Sequence, residues 1–559
     1  MSTTMKPPPS APPGDDGHSG GRGETQRRIL SASALLMATV LISRLLGLVR
    51  DRVIAAQFGQ GLETDFYNAA FTVPDLLTYL IAGGALSSAF IPVFTKYLEQ
   101  GKKNEAWRIF SVVMVVTAAV VTALVVLGEI FTPQLVQITN PGWVGPKAGY
   151  VAATVPLTRI LLPTQFCFFL GGLMMGAMQA KHNFWGQSLG PIIYNLGIIL
   201  GGAFLAAPLG PAGMCWGALG GAIFGNFLLQ WVMLRRLGGR MVTSHLREDL
   251  KHPGVRDVWK LMLPILLGVA LPSVSPLISK AFASYLGEGA QSALMNANRQ
   301  MQIPLGIFAQ AISIAILPTL SQMAARDDIA GMRSTVNYGL RFILFLTIPA
   351  SVLMIVMALP IVQLLLQTGK FGPNESAQAA NALVFYSLGI FGWSAQSILA
   401  RAFYALQDSR SPVIIGTCST VLFLLFNVLS LKITGIGDVN ATRGVAGLAL
   451  VTSIAAAMNA SILLWRLRVK LRGIEGGKLL VEVFKIAVAS GVSGLVCFFL
   501  RNALQDRLFP DTAHHVARQS LLLLAACFSA SCLTYLLCAL LLRMEEIKPL
   551  LRILRRRRG

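Results

Sequence analysis

"AFIPVFTKYLEQG" (Ala89–Gly101) has a counterpart far downstream, "AILPTLSQMAARD" (Ala315–Asp327). Each runs apolar into a proline, Pro92 or Pro318, and leaves in a polar tail. The two prolines stand 226 positions apart. A second pair, "GAMQAKHNFWGQSLGPIIYNLG" from Gly176 and "FYALQDSRSPVIIGTCSTVLFLLFNVLS" from Phe403, aligns Gln179 with Gln407 at an offset of 228. Near-equal offsets at two separate places predict a duplicated chain with two halves of like architecture.

The halves are built for a bilayer. Of 559 residues, 54% are hydrophobic and 13% charged, against about 25% charged in soluble domains. A spanning helix needs about 20 mostly apolar residues. Fourteen segments qualify: 30–50, 66–94, 109–131, 151–178, 187–207, 213–234, 259–284, 292–323, 342–366, 378–406, 412–431, 444–465, 480–500 and 519–542. Pro74, Pro163, Pro264, Pro272, Pro276 and Pro304 fall inside spans and predict bends. The expected fold is an all-α polytopic membrane protein of 14 transmembrane helices, two lobes of six plus two C-terminal helices. Six spans separate the repeats, so they run parallel, related by an axis along the membrane normal.

Charge distribution orients the chain. With the N-terminus in the cytoplasm, loops after even-numbered spans carry most Lys and Arg, among them Lys102, Arg235, Arg247, Arg333, Arg410 and Arg468, and "LRILRRRRG" lies on that side. The opposite loops carry only Arg52, Lys147, Lys370, Lys432, Arg443, Arg501, Arg507 and Arg518. This positive-inside bias places both termini in the cytoplasm and accounts for the net charge of +22 without nucleic acid. Residues 1–28 read as a disordered Pro/Gly/Ser-rich tail, with no signal peptide expected. The seven cysteines are scattered through apolar runs, without a CxxC or a nearby histidine, so neither disulfides nor a metal site is expected. No Walker motif, cofactor motif or catalytic constellation is present.

Charges inside spans are the functional candidates, because they cost energy unless they face a cavity or a partner. "SRLLGLVRDRVIAAQFG" (Ser43–Gly59) places Arg44, Arg50, Asp51 and Arg52 at the end of the first span. Arg44 and Asp51 are seven apart, hence on nearly one helical face and about 10 Å apart along the axis. Arg50 and Arg52 suit snorkelling to headgroups; Arg44 and Arg299 sit deeper and are expected to face a central polar cavity. Asp65, Asp75, Glu129, Arg159, Lys280 and Arg401 complete the set. Arginine offers two parallel hydrogen bonds and a permanent charge, which suits phosphate. The expected cargo is therefore anionic and phosphorylated, whereas a cation exporter would need buried carboxylates.

These residues, with "TDFYNAAFTVPDLL", "GALSSAFIPVF", "NRQMQIPLGIFAQAISIAILPTLS", "GKF" (369–371) and "ARAFYALQDSRSPV", resemble the MurJ (MviN) lipid II flippases of the multidrug/oligosaccharidyl-lipid/polysaccharide exporter superfamily. The resemblance runs from the first span to the fourteenth. It implies a V-shaped pair of lobes that move the undecaprenyl-pyrophosphate-linked peptidoglycan precursor from inner to outer leaflet of the bacterial cytoplasmic membrane by alternating access. Lipid-linked precursor, membrane lipids and cell-wall synthesis machinery are the implied partners. The alternative is export of another polyprenyl-linked oligosaccharide or of drugs. The implied layout is a tail (1–28), first lobe (29–238), cytoplasmic linker (239–258), second lobe (259–472), two helices forming a lipid-tail groove (473–543) and a basic cytoplasmic tail (544–559). Carried over by position, Ser43, Arg44, Arg50, Asp51, Asp65, Ser292 and Arg299 are the implied cavity residues, with the arginines on the pyrophosphate. Three positions depart from the family pattern: Thr78 stands at a basic position, Gly83 at an acidic one, and Asn298 at the acidic position just before Arg299. Asn427 matches one of two sodium positions found in some relatives, but Leu431 occupies the other.

Overall fold

The computed structural model describes residues 39, 41–80, 85–181, 183–242, 246–270, 275–434, 441–508 and 516–547. The tail 1–28, Gly83, and the basic run from 548 lie outside the described residues. Helix α1 (41–58) leads into α2 (Leu62–Ala70), α3 (Thr72–Leu80), α4 (Ala85–Glu99), α5 (Lys103–Ile130), α6 (Thr132–Thr139), α7 (Ala148–Leu161) and α8 (Thr164–Ala180). Next come α9 (Trp185–Leu209) and α10 (Pro211–Arg236). The second half holds α11 (Pro253–Ala270), α12 (Ser275–Ala283), α13 (Ala290–Ala325), α14 (Ile329–Val356), α15 (Ala358–Leu366), α16 (Pro373–Ser387), α17 (Ile390–Ala405), α18 (Arg410–Thr434) and α19 (Ala441–Lys470). Helices α20 (Gly476–Leu508) and α21 (Val516–Leu541) come last. No strand occurs among the described residues.

The duplication is visible in element bounds. Helices α5 and α14 start and stop 226 residues apart, as do the starts of α6 and α15. The turns before them match too. Gly101 (φ 76°) and Asp327 (φ 52°) both take the left-handed conformation that ends a helix. The N–H groups of Lys102 and Asp328 close these turns on the carbonyls of Tyr97 and Met323, each at 3.0 Å. The long span broken at Pro163, between α7 and α8, answers to α16 and α17, which meet at 43°. Proline lacks the N–H that the helix ladder needs, so the break falls there.

Among the described residues, ten helices are long and apolar enough to cross a membrane, and the bent pair α16–α17 makes eleven. The expected spans 30–50, 66–94 and 259–284 each include residues outside the described set.

The apolar cores segregate by half. Three clusters draw on residues between Ile54 and Val258, centred on Phe90, Phe94, Phe110 and Trp107, on Met214 and Leu161, and on Trp143 and Leu162. Two others draw on the second half, around Phe345 and Phe403 and around Phe371 and Tyr386, with Ala55 the one member from the first half. Helices α20 and α21 pack on each other and on α14 and α15, sealed by Met357, Cys497, Leu523 and Cys527. Helix α11 packs on α4, α3 and α5 of the first half, whereas α12 packs chiefly on α18, α19 and α13 of the second and touches α6 of the first.

Close contact between α9 and α10 rests on glycine. A Cβ at Gly197 would stand 2.5 Å from the Gly217 carbonyl oxygen, and one at Gly201 equally close to that of Gly213. Spacing of four along each helix puts Gly197 and Gly201 opposite Gly213, Gly217 and Gly221, the small-residue seam by which membrane helices approach closely.

Candidate functional site

Helix α1 runs antiparallel to α13 across the gap between the halves and touches it at two levels. Near the C-terminal end of α1, Arg299 Nη1 donates to Asp51 Oδ1 at 2.8 Å. About two turns away, Arg44 Nη2 donates to Gln310 Oε1 at 3.3 Å. The Arg44 guanidinium lies over Gly306, where a Cβ would displace it. Gly306 belongs to a π-helical turn, Leu305–Ala309, directly after Pro304. The proline ring cannot enter the i−4 ladder, and the widened turn accommodates it.

Asp51 is the hub. Its Oδ1 also accepts from Arg50 Nε at 3.1 Å and Nη2 at 2.9 Å. Arg50 Nη1 donates to Asn195 Oδ1 at 3.1 Å, and Asn195 Nδ2 donates to Ser43 Oγ at 3.4 Å. Two guanidiniums thus share one carboxylate, which leaves a net positive charge between the halves. Asp51 is almost fully covered, while the Arg50 and Arg299 side chains keep 21% and 29% of their surface. Partly exposed arginines with spare N–H groups are what an incoming phosphate can use. Sequence geometry placed Arg44 with Asp51 on one face; the structure brings Asp51, Arg50 and Arg299 together and sets Arg44 apart.

Asp65 does different work. One oxygen accepts from the Gly289 N–H at 2.7 Å, and the other from the Ser292 N–H at 2.8 Å and the Ser292 hydroxyl at 2.5 Å. These are the orphan donors at the start of α13, so Asp65 caps a helix of the opposite half. Gly289 permits it, with φ 76° and no room for a Cβ, which would stand 2.6 Å from the Gln60 carbonyl oxygen. Asn68 Nδ2 adds a bond to Ser292 Oγ at 3.3 Å.

Around Asp65 the halves are stitched together. Arg52 Nη1 donates to the Leu364 carbonyl at 2.8 Å, at the C-terminal end of α15 where a cation is favoured. The Lys370 N–H reaches the Ala56 carbonyl at 3.1 Å. Gln60 meets Gln378 at 2.7 Å, Gly142 N–H meets Ser284 Oγ at 2.8 Å, and Gln291 meets Asn140 at 2.7 Å. Gly59 closes α1 with φ 67°, and a Cβ there would stand 2.8 Å from the Lys370 carbonyl oxygen. All these contacts lie toward the end of the molecule where α1 finishes, which is hereafter the closed end.

Six further residues from the sequence are placed as follows. Thr78 Oγ1 donates to Gln165 Oε1 at 2.8 Å. Lys280 meets Asp75 at 3.4 Å across the halves, and Glu129 faces Arg159 at 3.9 Å on neighbouring helices. Asn427 is buried and donates to the Phe423 carbonyl of its own helix at 2.7 Å. No group of three or more His, Cys, Asp or Glu side chains is placed to hold a metal ion among the described residues. Asn195, Asn68, Asn140 and Gln310 were not singled out from sequence. Neutral amides carry no charge signal, and only the approach of distant helices gives them partners.

The fold is an all-helical bundle in two like halves that meet at a cationic cluster. Solved structures share it. An inward-facing multidrug resistance MATE transporter aligns with a TM-score of 0.63 at 15% identity, covering 79% of this chain and 99% of its own. A structure described as lipid II flippase MurJ in an inward closed conformation aligns with a TM-score of 0.72 at 23% identity, covering 91% and 99%. The family model for lipid II flippase MurJ matches residues 54–513. The probable lipid II flippase MurJ of Vibrio cholerae serotype O1 is 30% identical over 446 residues, covering 78% of this chain and 82% of the relative. The lipid II flippase MurJ of Burkholderia cenocepacia is 28% identical over 431 residues, covering 77% and 81%. The chain belongs to the MurJ lipid II flippase family, a family of multi-pass membrane transporters.

Proposed function

We propose that this protein flips lipid II across the bacterial inner membrane by alternating access. The single observation carrying this reading is the Arg50–Asp51–Arg299 cluster, formed by both halves and part-exposed in the cleft between them. A pyrophosphate would take the free N–H groups of both guanidiniums, with Arg44 next along the cleft and Asp51 keeping the cations apart when no cargo is present. Family membership supports lipid II as that cargo.

The positive-inside bias supports cytoplasmic termini, with the incompletely described segments raising the spans to fourteen. The end where α1 finishes then faces the periplasm. Closure there, through Asp65 and the contacts around it, corresponds to a state that takes cargo from the cytoplasmic leaflet. Asp65 and Ser292 serve in this reading as the latch of the periplasmic gate, and Ser43 orients Asn195 and through it Arg50.

The test is flipping of fluorescent lipid II in reconstituted vesicles. Arg50→Ala and Arg299→Ala should each abolish it while leaving thermal stability near that of the parent. Undiminished flipping by both variants would overturn the assignment of the cation site. Efflux of organic cations without lipid II flipping would instead favour the drug-export alternative.

A further inference from the structure

Lys280 is the only buried lysine among the described residues. It stands on α12, in the second half, and points into the first. Its Nζ lies 3.4 Å from Asp75 Oδ2 on α3 and 3.4 Å from the Asn68 carbonyl. The Lys280 side chain is 9% exposed, but that of Asp75 is 42% exposed, so the carboxylate stays accessible while the ammonium is covered. Arg299 is the like charge that acts on Lys280. Helices α2 and α3 contain no Lys or Arg, and Thr78, one turn beyond Asp75, turns its hydroxyl to Gln165. Helices α2 and α3 thus bring no cation of their own to Asp75, and Lys280 supplies one from the other half.

The pair is loose. Charge-assisted N–H···O bonds close to about 2.7–2.9 Å, and the neighbouring Arg299–Asp51 contact does so at 2.8 Å. A buried ammonium must keep an anionic partner, because its desolvation is otherwise uncompensated. A half-exposed carboxylate at 3.4 Å is a partner that a multiply charged anion can replace.

We propose that Lys280 is a hand-over cation: Asp75 holds it while the cleft is empty, and the pyrophosphate of the cargo takes it from Asp75. Taking it breaks an ion pair that joins the halves beside the closed end, so cargo binding itself loosens the gate. Lys280 sits on α12, whose main contacts are with α18, α19 and α13 of the second half. This inference rests on the flippase reading and adds a cation contact and a coupling step to it.

Two near-isosteric substitutions separate hand-over from a structural bridge. Asp75→Asn and Lys280→Met both remove the ion pair, but only the first leaves the cation. Gate opening is read as the distance between spin labels on Glu63→Cys and Asn374→Cys, with exposed Cys418 and Cys532 replaced by Ser. Affinity is read with lipid II in nanodiscs. Both variants should open the gate more often without lipid. Asp75→Asn should bind lipid II roughly fivefold tighter, because its lysine no longer has to be released, and Lys280→Met roughly tenfold weaker, the loss of one charge-assisted bond. Lys280→Arg should recover most of the affinity. Equal affinity in the two variants, or parental flipping by Lys280→Met, overturns the hand-over. Failure of the parent protein to bind or flip lipid II overturns the flippase reading instead.

Discussion

Asp65→Ala should shift the protein away from the closed-end-shut state. Asp65 accepts three hydrogen bonds, from the Gly289 N–H, the Ser292 N–H and the Ser292 hydroxyl, all across the halves. Loss of a helix N-cap costs about 0.5–2 kcal/mol, a scale that already includes the desolvation of the capping group. The added hydroxyl bond contributes about 1 kcal/mol. Together about 1.5–3 kcal/mol is lost from the shut state alone, since separated halves do not make these contacts. The ratio of shut to open molecules should fall roughly 12- to 140-fold. Ser292→Ala removes only the hydroxyl bond and should shift it roughly fivefold. Two assays read this. Hydrogen exchange at the amides of residues 289–292 should accelerate in proportion. Cross-linking between Gln60→Cys and Gln378→Cys, whose parent side chains meet at 2.7 Å, should fall. Unchanged exchange and cross-linking in Asp65→Ala would refute the trans-cap argument. So would an effect of Ser292→Ala as large as that of Asp65→Ala.

Asn195→Leu removes the amide that fixes Arg50 and should weaken lipid II binding roughly tenfold with little change in thermal stability, measured by titration in nanodiscs. Gly197→Leu forces a side chain into the Gly217 and Gly221 backbone; overpacking of about 1–3 kcal/mol should lower the melting temperature in detergent. Asp408, in the loop before α18, is pushed up by burial, yet the Lys470 ammonium at 2.5 Å and the Ser411 N–H and hydroxyl hold it down at about 2. Its folded pKa lies below the ordinary 3.8, so its contribution is present in full above pH 4 and is lost as pH falls through about 2. With Lys470 partly exposed, about 1 kcal/mol is expected. Asp408→Asn should therefore melt earlier than the parent at pH 7, and the difference should shrink at pH 2–3.

Much of the architecture was legible because it repeats. An offset of 226 found in two apolar segments reappears in the bounds of α5 and α14, since the same proline and helix-ending turns punctuate both halves. Apolar runs report spans directly, because the bilayer demands their length. Breaks such as those between α2 and α3 and between α16 and α17 were less legible, since periodicity does not say where a helix ends inside an apolar run.

At the cleft, sequence by itself determined which charges stand inside the membrane and that arginines dominate them. It could not determine their partners. Helical geometry joins residues a few turns apart, so it put Arg44 and Asp51 on one face and left Arg50 and Arg52 suited to snorkelling; only the family resemblance made Arg50 a cavity residue. Tertiary structure supplied the partners: Asp51 meets Arg299, 248 residues away, Arg50 is held by Asn195, and Arg52 ends on the Leu364 carbonyl. Asp65 likewise becomes the cap of a helix in the other half. A membrane charge finds its partner where two separately folded bodies meet, and no local pattern records how those bodies dock.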